Sequence, residues 1–431
     1  MPMTLTLAPV VTFHAPLTLN MPSGIKKGTR FDTLDAPPAN TVMDVDRYEH
    51  DMAALTDSPN IIPLTLQGID PRFGNAWLYT WTAGLERKLG NLTASAAYVG
   101  TAAVRLPRWT SPNGYPGATE QFAPHTKFDS AGNIIGGFGT ETAITGDSHS
   151  TYHALQTSLS GTVPHGGPGI QASYTWSKSI DTTSLVLGGV GATGAVASGL
   201  SQDPFDTHPE KGPSNFDIKN GFGLSLAQDL HLESVNFLKP ISRKITDGWE
   251  MLSISSLSSG APFTVYSGIQ QTGAGSMGVD RPDQIAKPHL STARKDRKDY
   301  FGAGPNNGPA YFSIPVFVPG GTGPNQGRFG TLGRNTFRGP AFYNFDFAFI
   351  KDTPFGRRAS GAERMDLQFR AELFNLFNIV NMSTPANILG VTTSTTGGVP
   401  SASISTTNGF GFISKTAGTS RQIQFSLKVI Y

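Results

Sequence analysis

The chain has 431 residues and contains no cysteine, little charge and no long hydrophobic run. The absence of cysteine excludes a disulfide scaffold, a cysteine-ligated zinc or iron–sulfur site and a cysteine nucleophile. No apolar stretch approaches the roughly 18 residues of a transmembrane helix, and Met1–Asn20 lacks the pattern of a secretory signal peptide. The net charge of +2, without a block of lysine or arginine, gives no indication of a nucleic acid partner.

Glycine, proline and small polar residues take the place of the missing charge. Charged residues make up 15% of the chain, against about 25% in an ordinary globular protein. The chain has 50 glycines and 31 prolines, and both residue types disfavour long helices. Aromatic residues reach 10%, whereas disordered chains are poor in aromatics. The composition therefore predicts a folded chain in which long helices are rare.

Alternation of apolar and polar residues with period two is the strongest regular signal, and it indicates β-strands. It is clearest in the last segment, where Ile423, Phe425 and Leu427 share one face and polar residues share the other. The segments with this pattern are Ala76–Lys88, Leu92–Val104, Tyr152–Val163, Ile170–Ser177, Asn215–Gln228, Gly248–Ser259, Phe342–Asp352, Arg364–Glu372 and Arg421–Tyr431. We therefore predict nine strands of about ten residues, which is near the length that crosses a bilayer.

The connections between these strands alternate between short and long. The short ones are Leu89–Asn91, Pro164–Gly169, His231–Asp247 and Thr353–Glu363, and the long ones are Arg105–Thr151, Asp181–Ser214, Gly260–Pro340 and Asn378–Ser420. Transmembrane barrels have short periplasmic turns and long extracellular loops. The sequence therefore predicts an all-β fold, in which an antiparallel meander forms part of a large outer-membrane barrel with long extracellular loops.

The two faces of the predicted strands differ in character. The residues expected to face lipid are Tyr343, Phe345, Phe347, Phe349, Phe425, Leu427 and Val429. The opposite row, Arg364, Asp366, Gln368, Arg370 and Glu372, should face inward, because Arg or Lys facing lipid costs about 2–4 kcal/mol at mid-barrel. This row is either a hydrated lumen wall or a contact surface for a solute or plug. A soluble sandwich gives the same alternation, so a secreted adhesin or lectin-like protein is the alternative.

The strand count leaves the edges of the sheet open. With long loops outside, Ala76–Lys88 and the last strand both run inward, so they cannot pair antiparallel to close a barrel. Either a tenth strand lies near the N-terminus, where Thr4–Leu7 and Ile61–Leu66 are candidates, or the barrel is incomplete. A tenth strand that closes a small pore would also allow a passive channel.

Several segments resemble the barrel of TonB-dependent, Oar-like outer-membrane receptors. They are Tyr174–Asp181 (YTWSKSID), Phe329–Pro340 (FGTLGRNTFRGP), Gln368–Asn378 (QFRAELFNLFN) and Gly418–Tyr431 (GTSRQIQFSLKVIY), with Asp70–Gly90, Gly248–Val265 and Arg281–Gln284 (RPDQ) in matching order. The resemblance covers about Ile69 to Tyr431. It implies that residues 69–431 are the C-terminal portion of such a barrel, and that residues 1–68 are an irregular segment without a recognisable plug.

The resemblance also implies a function and partners. Such receptors are plugged barrels of about 22 strands, so the chain would be a truncated or partial receptor lacking the plug and the segment that engages TonB. The intact parent would be a non-enzymatic protein in the outer membrane of a Gram-negative-type bacterium, for ligand uptake or surface adhesion. Outer-membrane lipid would surround it, TonB would act only through an absent N-terminal portion, and the barrel-assembly machinery would recognise the last strand, which ends at Tyr431.

Two motifs suggest other chemistry but lack the context that it needs. Gly189–Gly194 (GVGATG) matches a dinucleotide fingerprint, yet no strand precedes it and no helix follows it. His149 and His153 are four residues apart without the glutamate of a zincin motif, and on a strand they would be about 13 Å apart. We therefore predict no catalytic, cofactor-binding or metal-binding residue and no nucleic acid partner, and the ligand and its binding residues are unassigned.

Overall fold

A computed structural model describes most of the C-terminal four-fifths of the chain. The described residues are 4–6, 64–70, 72–114, 123–131, 134–184, 201–268, 280–290, 312–314, 316–317, 328–357, 363–396, 399–405 and 409–430. Tyr431 and Gly189–Gly194 lie outside them.

Strands dominate the described residues. In chain order they are β1 (Thr4–Thr6), β2 (Leu64–Ile69), β3 (Trp77–Leu89), β4 (Leu92–Thr110), β5 (Thr126–Phe128), β6 (Ile134–Thr162), β7 (Gly169–Asp181), β8 (Gly212–Pro213), β9 (Asn220–Leu230), β10 (Trp249–Ser258), β11 (Pro262–Phe263), β12 (Asp283–Gln284), β13 (His289–Leu290), β14 (Phe312–Ser313), β15 (Val316–Phe317), β16 (Phe337–Arg338), β17 (Phe342–Arg357), β18 (Glu363–Phe374), β19 (Gly390–Thr396), β20 (Val399–Ser405) and β21 (Gln422–Ile430).

The described helices are short. Three are 3₁₀ turns, at His208–Glu210, Leu232–Ser234 and Asn236–Leu238, and one is the single α-helical turn α1, Arg243–Thr246. In the part of the chain that the structure describes, no helix has the length and apolar character needed to cross a membrane.

The nine long strands form one continuous antiparallel meander. Their order in the sheet is β3-β4-β6-β7-β9-β10-β17-β18-β21, so each lies beside its neighbours in the sequence. This confirms the predicted meander and all nine predicted strands, including Gly248–Ser259, where both faces carry apolar residues. Because the nine strands form a single sheet, they do not have the two stacked layers of a sandwich.

The predicted loop Arg105–Thr151 is wrong at both ends. Strand β4 continues to Thr110, and β6 begins at Ile134, so the strands have 19 and 29 residues. The register shifts at Val104/Leu106 and again at Leu106/Arg108, and Arg105 has a φ of 57°. These bulges interrupt the period-two pattern, so alternation along the sequence does not reveal the outer part of the two strands. Since about ten residues cross a bilayer, this part of β4 and β6 extends beyond it.

The two edges of the sheet remain apart. Strand β1 pairs antiparallel with β3, Leu5 lying opposite Ala83, which confirms Thr4–Leu7 as the site of a tenth strand. The other candidate, Ile61–Leu66, is wrong as a wall strand, because β2 pairs in parallel with the outer part of β6. Strand β21 pairs only with β18, so the sheet is not closed within the described residues.

The register aligns the apolar residues of successive strands on one face. Phe349 lies opposite Met251 and Ala371, and Ala371 lies opposite Phe425. The apolar face comprises Trp77, Tyr79, Trp81, Leu85, Tyr98, Leu155, Tyr174, Trp176, Phe222, Leu224, Leu226, Met251, Tyr343, Phe345, Phe347, Phe349, Phe369, Phe425, Leu427 and Val429. The polar face opposite it includes Asp366, Gln368, Arg370 and Glu372. The predicted separation of the two faces is therefore confirmed.

Exposure of the apolar face varies across the sheet. Phe425 and Leu427 on the edge strand are 68% and 67% exposed. The aromatic residues of β17, which are predicted to face lipid, are by contrast half-buried rather than exposed. They lie between β10 and β18, and the Phe345 ring also packs against Phe377, with 5.3 Å between the ring centroids.

Candidate functional site

The long connections at one end of the sheet fold into a compact unit, which we call the outer assembly. It comprises the described residues of 111–131, 182–219, 259–341 and 375–421, together with the outer part of β6, 134–148. Its apolar core contains Phe263, Val265, Phe312, Ile314, Val316, Leu332, Phe337, Met382, Leu389 and Ile413, all at most 8% exposed. The Phe312 ring lies 5.2 Å from that of Phe263 and 4.8 Å from that of Phe337. The barrel wall thus carries a separately packed structure at its outer end.

A buried ion pair joins two of these connections. Arg281 Nη1 donates to Glu210 Oε2 over 2.9 Å, and the two side chains are 2% and 3% exposed. Arg281 Nε also donates to the Leu332 carbonyl over 2.8 Å. Gln202 completes the arrangement, because its backbone N–H donates to Glu210 Oε1 and its side-chain oxygen accepts from the Arg281 N–H. Every charge here has several partners, as a buried ion pair requires.

Two further ion pairs join the segment 334–338 to the end of β7 and to the segment that precedes β9. Arg334 binds Asp181, the last residue of β7, and Arg338 binds Asp217. Both carboxylates are almost fully buried. Asp217 Oδ1 also accepts from the Ser179 backbone N–H over 2.6 Å. The outer assembly is therefore bound directly to the wall by charge-assisted hydrogen bonds, which are the stronger kind.

Asn335 lies between the two arginines and needs an uncommon backbone conformation. Its φ is 54°, a left-handed value that asparagine tolerates better than most residues. In this position its backbone N–H donates to Thr264 Oγ1 over 2.9 Å, and its amide donates to the Pro213 carbonyl over 2.7 Å. The strained turn thereby connects the segments before β9 and after β10.

Close backbone contacts explain part of the high glycine content of these connections. A Cβ on Gly260 would overlap the Gly339 carbonyl, and a Cβ on Gly330 would overlap the Arg281 carbonyl. Any side chain at these positions would push two backbone segments apart.

The outer part of β4 and β6 forms its own charged contact. Arg108, 3% exposed, donates to Asp147 through Nε and Nη2 over 2.7 and 2.8 Å. Its Nη1 donates to Ser201 Oγ over 2.7 Å. Burial by itself would raise the pKa of Asp147, but the hydrogen bonds and charge of Arg108, with a hydrogen bond from Thr145, hold that pKa below its usual value.

Three other groups in the outer assembly have shifted acidities. The hydrogen bonds from Arg328 are the main cause of the lowered pKa of Asp283. Burial raises the pKa of Asp203 and that of Tyr266. The tyrosine hydroxyl therefore stays protonated and serves as a neutral polar group near the Glu210–Arg281 pair.

The segments that carry the family resemblance converge on these contacts. Asp181 ends YTWSKSID, Arg334, Asn335 and Arg338 belong to FGTLGRNTFRGP, and Arg281 begins RPDQ. A fourth segment, QFRAELFNLFN, contributes Asn375, whose amide donates to the Ile379 and Thr419 carbonyls over 3.0 Å each. The motifs thus hold the outer connections in place, a role that sequence reasoning missed.

The charged row on the polar face is partly satisfied by its own neighbours, while Asp366 Oδ1 and Arg370 Nε are buried without a hydrogen-bond partner among the described residues. Gln368 Nε2 donates to Asp352 Oδ1 over 2.9 Å, and Arg370 and Glu372 form an ion pair at 3.1 Å. Contacts of this kind favour the interpretation as a hydrated inner wall.

The two histidines of the candidate metal motif lie on β6. The segment Ser148–Leu155 is strand throughout, so the expected loop at its start is wrong. His153 Nδ1 and the Tyr98 hydroxyl share a hydrogen bond of 2.7 Å on the apolar face. Among the described residues, no group of three His, Asp or Glu side chains is arranged to hold a metal ion.

Exposed apolar side chains on the outer assembly are the candidates for ligand contact. Phe205, Phe216 and Ile285 are 58%, 66% and 65% exposed. Phe205 follows Asp203, whose carboxylate accepts hydrogen bonds from the backbone N–H groups of Phe205 and Asp206. An aromatic ring on such a fixed turn offers a rigid contact surface, which loses little entropy on binding.

A family match agrees with this architecture. Residues 10–424 match the family model described as outer membrane beta barrel domain. The outer membrane transporter YddB from Escherichia coli is similar, with a TM-score of 0.40 and 12% identity over 86% of this chain and 34% of that one. The FrpB iron transporter from Neisseria meningitidis has a TM-score of 0.34 and 11% identity over 84% of this chain and 33% of that one.

The chain spans about a third of the length of these two structures. No curated protein sequence matches it. The family match extends over nearly the whole chain and assigns the protein to the outer membrane. The chain belongs to the outer membrane beta barrel domain family.

Proposed function

We propose that this chain forms the wall and the outer surface of a TonB-dependent, Oar-like receptor that binds a ligand without chemical conversion. The observation that carries this proposal is the combination of one continuous apolar face, an opposite polar face and a folded outer assembly at one end. Lipid covers the apolar face, and water or a plug covers the polar face. The outer assembly meets the ligand outside the cell.

Energised uptake requires parts that the resemblance assigns to an N-terminal portion of the parent. A plug would contact the polar face, and a segment attached to it would engage TonB. That face suits such a partner, because Asp366 Oδ1 and Arg370 Nε lack hydrogen-bond partners among the described residues and a plug would supply them. Surface adhesion is the other role that a rigid outer assembly supports.

The topology can be tested with single cysteines, since the chain has none of its own. We would label Phe205→Cys and Ser234→Cys with a membrane-impermeant maleimide in whole cells. Phe205→Cys should react in intact cells, whereas Ser234→Cys, in the connection between β9 and β10, should react only after the outer membrane is permeabilised. Recovery of the protein in the soluble fraction, or equal labelling of both sites, would contradict the proposal.

Electrical conductance distinguishes a plugged receptor from a passive channel. The intact parent protein should show a closed baseline for potassium chloride in planar bilayers, because the plug fills the barrel. A steady open conductance would identify a passive channel instead. If deletion of TonB leaves cell attachment unchanged but abolishes growth that depends on the receptor, uptake is the main role; unchanged growth would favour adhesion.

We also propose that β21 is the signal for the barrel-assembly machinery. An unfolded barrel strand carries unpaired backbone groups that are costly in hydrocarbon, and a strand with alternate apolar residues can pair with the edge of another sheet. Tyr431→Asp in the intact parent gene should cause loss of membrane insertion and periplasmic degradation. Normal abundance in the outer membrane would show that Tyr431 is only an interfacial aromatic residue.

A further inference from the structure

The connection between β9 and β10, residues 231–248, differs from the other described connections at its end of the sheet. The β3–β4 hairpin turns through Gly90–Asn91, and β6 and β7 are joined by Val163–Pro168. The β9–β10 connection has 3₁₀ turns at Leu232–Ser234 and Asn236–Leu238 and the helical turn α1. A hairpin needs only a few residues, so the extra length has another purpose.

Its central run, Phe237–Ile245 (FLKPISRKI), combines exposed apolar side chains with positive charge. Phe237, Ile241 and Ile245 are 78%, 42% and 60% exposed. Lys239, Arg243 and Lys244 are exposed as well, and the run contains no acidic residue. Within the described part of the chain, no carboxylate forms an ion pair with these three cations. Apolar side chains that project this far into water are unfavourable unless something covers them.

The contacts of this run place it beside the apolar face rather than inside the barrel. Trp249, the first residue of β10, lies opposite Leu230 and Lys351 on the apolar face. Its indole Nε1 donates to the Ile245 carbonyl over 2.7 Å, which holds α1 against the lipid side of the wall. Gly248, with a φ of 71°, makes the turn that brings α1 to this position.

We propose that Phe237–Ile245 is an interfacial anchor that binds anionic phospholipid headgroups of the periplasmic leaflet. The inference rests on the proposed membrane topology, in which short connections face the periplasm. Phe237, Ile241 and Ile245 enter the boundary between headgroups and acyl chains, continuous with the lipid-facing band of the wall. Lys239, Arg243 and Lys244 remain at headgroup level and bind phosphate.

Two features favour lipid over a protein partner. The anchor adjoins a face that lipid already covers, so a protein would have to displace lipid from the neighbouring wall. The three cations are also spread along a short run with intervening apolar residues, the pattern of a segment that lies in a membrane surface.

Depth measurements on the full chain test the inference. Phe237→Cys and Ile245→Cys, each labelled with an environment-sensitive fluorophore, would be reconstituted in phosphatidylcholine vesicles with and without phosphatidylglycerol and brominated lipid. We expect blue-shifted emission and bromine quenching at both sites, stronger with phosphatidylglycerol. Ser234→Cys, in the same connection, is the control that stays in water. Changing Lys239, Arg243 and Lys244 to Gln should weaken the binding of this segment to the anionic membrane surface by about fivefold per residue. The gain in quenching caused by phosphatidylglycerol should shrink accordingly.

Phe425→Cys on the wall separates failure of this inference from failure of the proposed function. If its label is not quenched, the wall does not face lipid and both proposals are wrong. If it is quenched while the anchor sites stay in water, only the anchor is wrong. Equal quenching with and without phosphatidylglycerol would overturn headgroup recognition. Protection of Ile245→Cys in native outer membranes but not in vesicles would identify a protein partner and overturn the lipid anchor.

Discussion

The outer assembly and the barrel wall bury their residues in opposite ways. In the outer assembly, Phe312 and Val265 are 1% and 0% exposed, and Glu210 and Arg281 are enclosed with them. On the wall, Phe425, Leu427 and Trp176 are 68%, 67% and 51% exposed on the apolar face. The outer assembly is folded as an ordinary water-soluble unit is, whereas the described strands of the wall form no cluster of buried apolar residues of their own.

This difference shows that one chain is adapted to two solvents. Water surrounds the outer assembly, so its apolar side chains must pack against each other. Lipid surrounds the wall and covers the apolar face, so the wall needs no second layer. The stability lost through a substitution in the outer assembly should therefore depend on how deeply the residue is buried. The stability lost through a substitution in the wall should depend on the face to which the side chain points.

The largest effect should come from breaking the Glu210–Arg281 pair. Glu210→Gln keeps the volume but leaves the Arg281 charge buried without a counter-ion, and removing one partner of a buried pair costs about 3–5 kcal/mol. Hydrogen exchange should show faster opening of the outer assembly, with unchanged protection in β18 and β21.

Asp283→Asn is the matched control for that change. Its partner Arg328 is 57% exposed, and pairs that water can reach contribute about 0–1 kcal/mol. Equal effects of the two substitutions would mean that burial of the Glu210–Arg281 pair has no special role. Opening of β18 together with the outer assembly would contradict the independence of the two regions.

The second prediction concerns the direction of side chains on β21. Phe425→Arg places a charge on the apolar face, which costs about 2–4 kcal/mol near the bilayer midplane. Gln424→Arg, one residue earlier, points to the polar face opposite Glu372 and should be tolerated in the lumen. Urea-driven unfolding in vesicles of the two variants measures the difference in stability. A smaller effect at position 425 than at 424 would reverse the assignment of the two faces.

The wall was predictable from sequence because its signal is local. Alternation along each strand requires only adjacent residues, so all nine long strands and both faces followed from the pattern. Prediction from alternation failed at Arg105, because a bulge there interrupts the pattern and the outer part of β4 was not recognised as strand. It also misassigned Ile61–Leu66, because pairing of β2 with β6 is a parallel, long-range contact that no hairpin encodes.

The outer assembly was not predictable in the same way. Glu210 and Arg281 are 71 residues apart, and Asp181 and Arg334 are 153 apart. No periodic pattern connects them, since each contact depends on where separate connections meet above the wall. The available signal was the presence of unusual arginine- and asparagine-containing motifs in loops, and those were recognised only as a resemblance.

A third prediction uses acidity to separate the regions. Arg108 lowers the pKa of Asp147 in the folded state, so this carboxylate contributes stability above the usual aspartate pKa of 3.8, and the contribution is lost as the pH falls through the lowered value. Acid below a pH of about 3.8 should therefore loosen the outer part of β4 and β6 before the wall. Burial raises the pKa of Asp203, so this carboxyl group has the opposite effect on the pH dependence of stability: its contribution becomes more favourable as the pH falls.

Comparison with Asp147→Asn isolates the contribution of this carboxylate. The variant should be less stable near neutral pH and should lose part of the dependence on acid, as measured by limited proteolysis of the outer assembly at several pH values. An unchanged pH profile would mean that Asp147 is equally acidic in the unfolded chain.

The smallest effect is expected on the apolar face, at Gly100. A Cβ on this residue would overlap the indole of Trp81, which lies directly across from it on β3 and covers the gap in the strand. Gly100→Ala should rotate the indole away. Since lipid can fill the space, the loss should stay within the roughly 0.2–1 kcal/mol of a cross-strand pair. Urea-driven unfolding in vesicles, followed by tryptophan emission, measures this loss of stability. Gly169→Ala, where the nearest atom would lie at 3.7 Å, is the control. A loss as large as that of a buried core substitution would show that the wall packs as tightly as the outer assembly, and the contrast between the two regions would then be wrong.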